Sequence, residues 1–172
     1  MPGKVLQRLI EHNSWANDLI IQACLSLSDE QLDASAKSAT MGTIRETLFH
    51  MVESQAGYYR LLTLPVEERR ERRPERLFNQ LQESATLSGQ ALLNLVRDTS
   101  LLDAKRRLET TDGYWVEPWL VIVQVINHAT EHREQIKSML TAMGITPPDI
   151  DGWAYGEATH TLIPTEGPDK GG

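Results

Sequence analysis

Apolar residues recur at helical spacing in four long stretches of the chain, and this pattern predicts a mostly helical protein. The first stretch runs from about Lys4 to Leu25. The second begins at Thr43, which forms a capping-box pattern with Glu46, and it stops before Pro65. The apolar positions that predict the buried faces are Val5, Leu9, Trp15, Ala16, Leu19, Ile20 and Ala23 in the first helix and Ile44, Leu48, Met51, Val52, Tyr59 and Leu62 in the second.

Two further long helices are predicted in the second half of the chain. The third begins at Pro74, since proline fits the first turn of a helix, and runs to about Arg97. The fourth runs from near Pro118 to Gly144, where glycine is typical of a helix end. Gly89 is a weak point of the third helix, whose predicted buried face consists of Leu77, Leu81, Leu87, Leu92 and Leu95.

Shorter elements are predicted around these helices. Ser28 favours one capped turn of helix, and residues 149–158 favour another after the fourth long helix. The Asp112-Gly113 pair is typical of a tight turn, so a small hairpin is predicted before the fourth helix. The connections are too long for a minimal up-and-down hairpin. We therefore predict an all-α four-helix bundle with at least one crossover connection.

The size and composition are those of an ordinary globular domain. The chain has 172 residues, of which 40% are apolar and 24% charged. We expect a single domain over residues 1–164 and a flexible tail over residues 165–172. The net charge of -7 opposes binding to duplex nucleic acid, which requires a basic face. The arginines between Arg69 and Arg76 alternate with glutamates, so we interpret them as a solvated surface turn.

The chain lacks the sequence features of a membrane or secreted protein. No apolar run approaches the ~18 residues that a membrane span needs, and no signal peptide precedes the first amphipathic stretch. We therefore expect a cytoplasmic protein that does not bind membranes.

The single cysteine, Cys24, excludes an internal disulfide and a cysteine-rich zinc framework. Its apolar neighbours favour a buried, unreactive thiol.

The pair of histidines at His128 and His132 is the strongest chemical signal in the chain. Both imidazoles should project from one face of the fourth helix, one turn apart, and this spacing can hold a divalent metal ion. At about 100° per residue they share a stripe with Val121, Gln135 and Met139, which indicates that they face the bundle interior. The alternative is a pair of core histidines bonded to neighbouring carbonyl groups.

His50 on the second helix is the candidate third ligand. It lies about 100–160° around the helix from the apolar stripe, so the helix alone predicts a surface histidine. Its face also carries Glu46 and Glu53, and such a face can line a polar cleft. There, either carboxylate could accept the second ring N–H of a ligating histidine. His12 and His160 are predicted to be structural or exposed.

Four segments, in order along the chain, also carry a resemblance to a known family. They are Asn13-Ser-Trp-Ala-Asn-Asp-Leu-Ile20, Gly42-Thr-Ile-Arg-Glu-Thr-Leu-Phe-His50, Asn127-His-Ala-Thr-Glu-His-Arg-Glu-Gln-Ile136 and Asp151-Gly-Trp-Ala-Tyr155. Together they resemble the DinB/YfiT-like four-helix bundles. The resemblance implies a metal site at His50, His128 and His132, completed by water or substrate, and a homodimer. Glu131 and Glu134 stand where the family often has His and Gly.

Several activities are compatible with such a site. The resemblance implies a metal-dependent transferase that uses a low-molecular-weight thiol in detoxification or stress and acts on a small molecule. Zn²⁺ and Ni²⁺ both suit imidazole ligands. A metal-dependent hydrolase, with Glu53 or Glu46 as general base, and a non-catalytic metal-binding stress-response protein are the alternatives. A di-iron site needs two Glu-x-x-His motifs, and the chain has only Glu157-Ala-Thr-His160.

Overall fold

Four long helices dominate the computed structural model, which describes residues 2–34, 42–69, 77–98 and 106–165. They are α1 (Pro2–Leu25), α3 (Ile44–Thr63), α5 (Leu81–Arg97) and α6 (Pro118–Ala142). The shorter described elements are α2 (Asp29–Leu32), α4 (Val66–Arg69), a 3₁₀ turn (Phe78–Gln80), β1 (Leu108–Glu109), β2 (Trp115–Val116) and α7 (Gly152–Ala158). The predicted all-α bundle is confirmed, and β1 and β2 form the predicted antiparallel hairpin.

The helices are arranged as a square in which α1 and α3 are diagonal. Both pack against α5 and α6. Helices α1 and α5 are antiparallel, because Asp18 accepts a hydrogen bond from Gln82 whereas the earlier Ser14 lies beside the later Gly89. Ile10 shares an apolar cluster with Val121, near the starts of their helices. Further along, Ile20 shares another cluster with Ile136 and Leu140, so α1 and α6 are parallel.

Helices α3 and α5 also run in the same direction. Phe49 packs against Phe78 near the starts of these helices, with ring centroids 6.1 Å apart. Further along both, Gln55 donates a hydrogen bond to Ser88. Because two parallel neighbours cannot be joined by a tight turn, the end of α3 and the start of α5 lie at opposite ends of the bundle, which requires a crossover between them. This is the predicted crossover.

Local signals fix the ends of the helices that carry the candidate site. At the start of α3, the Thr43 hydroxyl accepts the Glu46 N–H, and the Glu46 carboxylate accepts the Thr43 N–H. At the end of α6, Gly144 has a positive φ of 76°, which glycine adopts without strain. The Ile145 N–H then bonds the Leu140 carbonyl at 3.0 Å and closes the helix. The predicted start and end are both confirmed.

The predicted start of the third helix is wrong. Pro74 lies outside the described residues, but Leu77 has extended backbone and the α-helix begins only at Leu81, after the 3₁₀ turn. The Gln80 side chain accepts the Leu77 N–H at 3.0 Å, so this turn has its own cap. Leu77 and Leu87 are 64% and 65% exposed, which removes two of the five predicted leucines from the core.

The buried face of α1 also differs from the prediction. Val5 and Leu9 are exposed, whereas Ile10, Ile21 and Cys24 are buried. The cause is tertiary, since α1 packs between α5 and α6 and therefore buries the sector that faces both. The predicted burial of Cys24 is confirmed, and burial raises the pKa of its thiol to about 12, which disfavours the reactive thiolate.

Other predictions concern the surface and the tail. Arg69 donates hydrogen bonds to the main-chain carbonyls of Leu64 and Glu109, while residues 70–76 of the predicted charged turn lie outside the described residues. Residues 166–172 of the predicted tail also lie outside them. Among the described helices, none combines the length and apolarity that crossing a bilayer requires.

Candidate metal centre

Three histidine side chains meet where α3 and α6 pack together. The Nε2 atoms of His50 and His128 are 3.0 Å apart, and the Nε2 atoms of His128 and His132 are 3.2 Å apart. One ring nitrogen from each residue lies within 4.8 Å of the others. The helices are antiparallel here, since Tyr58, two turns after His50, contacts Gln124, one turn before His128. The structure therefore brings together all three predicted ligands.

The spacing of these nitrogens fits a shared metal ion. Two imidazole nitrogens bound tetrahedrally to zinc at about 2.0–2.1 Å are separated by about 3.3 Å. The observed 3.0 and 3.2 Å are close to that separation. The donor set is also suitable, because neutral imidazole binds divalent transition metals with its exposed lone pair.

Hydrogen bonding among the rings explains the cluster less well. The Nδ1 of His132 lies 3.2 Å from the side-chain oxygen of Gln135, which can only accept a hydrogen bond. In a neutral ring, Nδ1 then carries the hydrogen and Nε2 presents a lone pair. The Nε2 of His128 faces this lone pair and also the Nε2 of His50. In a neutral ring, one nitrogen either donates a single hydrogen bond or accepts one in the ring plane, so it serves only one of these two partners well. A cation between the three nitrogens would satisfy every lone pair.

The surroundings keep two of the rings neutral. Burial, assisted by the charge of His132, lowers the pKa of His50. Burial and the charges of His132 and His50 lower the pKa of His128 to about 4. Both rings are therefore neutral near pH 7, with lone pairs available to a metal. His132 is only 7% exposed, whereas His50 and His128 are partly exposed, so the centre is open on their side.

Gln135 and Tyr58 contribute to the centre in ways that the sequence did not predict. Gln135 orients His132 through the contact at Nδ1, as partners of metal-binding histidines commonly do. The sequence signal for this contact was the position of Gln135, three residues after His132 and on the same stripe of the helix. The Tyr58 ring packs edge-on against His128 with centroids 5.6 Å apart, and its hydroxyl accepts a hydrogen bond from Gln124 at 3.4 Å. Only the tertiary structure shows this contact.

His50, which the α3 helix alone predicted to be a surface residue, is partly exposed and lies where α3 packs against α6. The apolar stripe of α3 faces the core, and the adjacent polar sector meets α6. Glu46 and Glu53 lie one turn to either side of His50, as predicted. The Glu46 carboxylate caps the start of α3 by accepting the Thr43 N–H at 2.8 Å. Glu53 is partly buried.

The other two histidines lie apart from the centre. The Nε2 of His12 contacts the Ile150 carbonyl at 3.0 Å, and its ring packs edge-on against Tyr155. His12 therefore has a structural role, fastening the segment that contains α7 to α1. His160 is exposed and follows α7. Neither belongs to the compact group of ligand atoms found among the described residues.

Comparison with protein families identifies a family whose model covers nearly the whole chain. The model described as the DinB family matches residues 1–168. The match spans all four long helices and therefore includes the three histidines. No curated protein matches the chain.

Proposed function

The chain belongs to the DinB family, and from this premise and the geometry of its histidines we propose that it binds one divalent metal ion. The ligands are His50, His128 and His132. The observation that carries the proposal is the convergence of their Nε2 atoms at 3.0 and 3.2 Å. A divalent ion on three neutral imidazoles would act as a Lewis acid, either stabilising a bound thiolate or lowering the pKa of a bound water. Zn²⁺ and Ni²⁺ are the candidates.

Each residue of the centre has a distinct part in holding the ion. His132 is buried and is oriented by Gln135, so it is the fixed ligand. His50 and His128 border the open side, where a substrate would enter. The low pKa of His128 keeps its lone pair available well below neutral pH.

We further propose that the bound metal serves a transferase that uses a low-molecular-weight thiol. The ligand set contains no carboxylate or thiolate, so the protein leaves the ion its full positive charge. Such a centre favours an anionic fourth ligand, and a thiolate is one. The other reactant is a small-molecule electrophile, and detoxification or stress response is the proposed context. We also propose that the protein acts in the cytoplasm and forms a homodimer.

A metal-dependent hydrolase is the second candidate, and the position of Glu53 favours it. Glu53 is partly buried one turn after His50, within the same polar sector of α3. Glu46 is the weaker general base because its carboxylate already caps the helix. A non-catalytic metal-binding stress-response protein is the third candidate.

A thiol panel assayed on metal-loaded protein separates these functions. Metal titration should first give about one ion per chain. For a transferase, turnover of a generic electrophile should require added thiol and stop with a chelator. Equal, chelator-sensitive rates without thiol that fall with Glu53→Gln would instead identify the hydrolase. Metal binding with no turnover across the panel would identify the non-catalytic protein, and failure to bind metal would refute all three.

A further inference from the structure

A buried arginine lies directly beside the metal centre in sequence. Arg133 follows His132 on α6 and is only 3% exposed. Its Nη1 donates hydrogen bonds to the side-chain oxygens of Asn13 at 2.9 Å and Asn17 at 2.6 Å. Its Nη2 donates to the Thr130 hydroxyl at 2.9 Å. Each of these partners is a neutral oxygen, so the guanidinium is held in the interior by amide and hydroxyl groups.

The hydrogen bonds continue from Arg133 to the other helices. Asn17 on α1 donates through Nδ2 to the side-chain oxygen of Gln55 on α3 at 2.9 Å. Gln55 in turn donates to the Ala85 carbonyl at 3.0 Å and the Ser88 hydroxyl at 2.7 Å, both on α5. One buried chain of hydrogen bonds therefore joins all four long helices. We call Arg133, Asn17 and Gln55 the polar bridge.

Two members of the polar bridge, Asn17 and Gln55, lie where the apolar core divides into two clusters. On α1, Asn17 lies between Ile10 of one apolar cluster and Ile20 of the other. On α3, Gln55 lies between Met51 and Leu62, which also belong to different clusters. Burying amides and a guanidinium in this layer is costly compared with apolar side chains of similar size. Stability alone therefore does not explain why the layer is polar.

The bridge connects the two helices that supply the metal ligands. Arg133 is adjacent to His132 on α6, and Gln55 is five residues after His50 on α3. Apolar packing is nondirectional and tolerates small rotations and shifts of a helix. Hydrogen bonds between fixed groups tolerate them poorly, and a metal site requires its ligands within about 0.5 Å of the productive geometry.

We propose that Arg133, Asn17 and Gln55 are positioning residues for the metal centre. Their hydrogen bonds set the rotation and height of α6 and α3 against α1, so that His50 reaches the two histidines of α6. This inference rests on the proposed metal binding. It assigns the polar bridge a task distinct from holding the bundle together, and the two tasks can be measured separately.

The test uses the full chain with Arg133→Met and Asn17→Leu, which replace polar groups by apolar ones of similar size. Zn²⁺ affinity is measured by chelator competition, and ligand geometry by the absorption spectrum of the Co²⁺ form. We expect each variant to bind Zn²⁺ about tenfold or more weakly, the range seen for supporting residues of metal sites, with a changed Co²⁺ spectrum. Since both break one chain of bonds, the double variant should lose little more than either single variant.

Leu92→Ala is the matched control. Leu92 is buried on α5, which supplies no ligand, and its removal leaves a cavity that destabilises the fold. We expect this variant to unfold at a lower temperature but to keep the wild-type Zn²⁺ affinity and Co²⁺ spectrum. A loss of affinity equal to that of Arg133→Met would overturn the inference, because general destabilisation would then account for both.

Two further outcomes separate the inference from the proposal on which it rests. Unchanged affinity and spectrum in Arg133→Met and Asn17→Leu would refute the positioning role while leaving metal binding intact. Absence of Zn²⁺ binding in the wild type would refute the proposed function itself. If Arg133→Met does not fold, Arg133→Lys replaces it. Lysine keeps the charge but lacks the planar fork that reaches the asparagines through one nitrogen and Thr130 through the other, so a weakened site is again expected.

Discussion

The Nε2 atoms of His50 and His128 lie 3.0 Å apart, although 78 positions separate the two residues in the chain. His132 adds a third nitrogen 3.2 Å from that of His128. Burial and neighbouring charge lower the pKa of His50 and His128, so these two rings are neutral and turn lone pairs toward the same point. A shared cation would remove that conflict, and the predictions below test the consequences of the proposed metal binding.

Loss of one ligand should abolish stable metal binding. We expect His128→Ala to lose nearly all bound Zn²⁺ or Ni²⁺, because two histidines alone hold the ion far less tightly. Elemental analysis after dialysis measures the content. His160→Ala is the control, since this exposed residue lies outside the cluster and its variant should match the wild type. Full metal content in His128→Ala would show that the ion is bound elsewhere.

Acid should destabilise the metal-free protein through the same histidines. The folded pKa of His128 is about 4 against 6.5 for the free side chain, and that of His50 is also lowered. The unfolded chain therefore takes up protons first as the pH falls, so stability present above pH 6.5 is lost between about pH 6.5 and 4. Melting temperatures across this range should fall steeply in wild type.

The His128→Ala variant provides the internal comparison for this pH dependence. Without the lowered pKa of His128, its melting temperature should fall less between pH 6.5 and 4 than that of wild type. His160→Ala should follow the wild-type curve. Parallel curves for wild type and His128→Ala would mean that the acid sensitivity arises from other groups.

Gln135 should affect metal affinity without contacting the ion. Replacing it by leucine removes the oxygen that faces Nδ1 of His132, so this ring loses the contact that orients it. We expect Gln135→Leu to weaken Zn²⁺ binding by about 10–100-fold in a chelator competition. Gln135→Glu retains an acceptor oxygen and should bind at least as tightly as wild type. Equal affinities for the leucine and glutamate variants would contradict this role.

His12 should matter for stability and not for metal. Removing its contact with the Ile150 carbonyl and its packing on Tyr155 should lower the free energy of unfolding by about 1–2 kcal/mol. His12→Ala should also make the segment around α7 more sensitive to limited proteolysis, because this contact fastens it to α1. Metal content should stay at the wild-type value. A variant that loses its metal instead would show that His12 acts at the centre.

Local features of the fold were readable from the sequence. Periodicity predicted the four long helices, the Thr43–Glu46 pair predicted the start of α3, and Gly144 predicted the end of α6. These interactions join residues a few positions apart, so the local sequence is sufficient to predict them. The sequence also predicted that His128 and His132 share one face of α6, because residues four positions apart lie one helical turn apart.

The relative rotation of the helices was decided only by the tertiary structure. The face of α3 alone pointed His50 toward solvent, and leucine spacing alone placed Leu87 in the core. The Leu87 prediction failed and His50 is only partly exposed, because the buried sector of a helix depends on which neighbours it packs against. The polar bridge from Arg133 to Gln55 could not be predicted from the sequence, because it also depends on which helices pack together. The sequence determined the helices and one pair of candidate ligands, and long-range packing decided where the third histidine joins them.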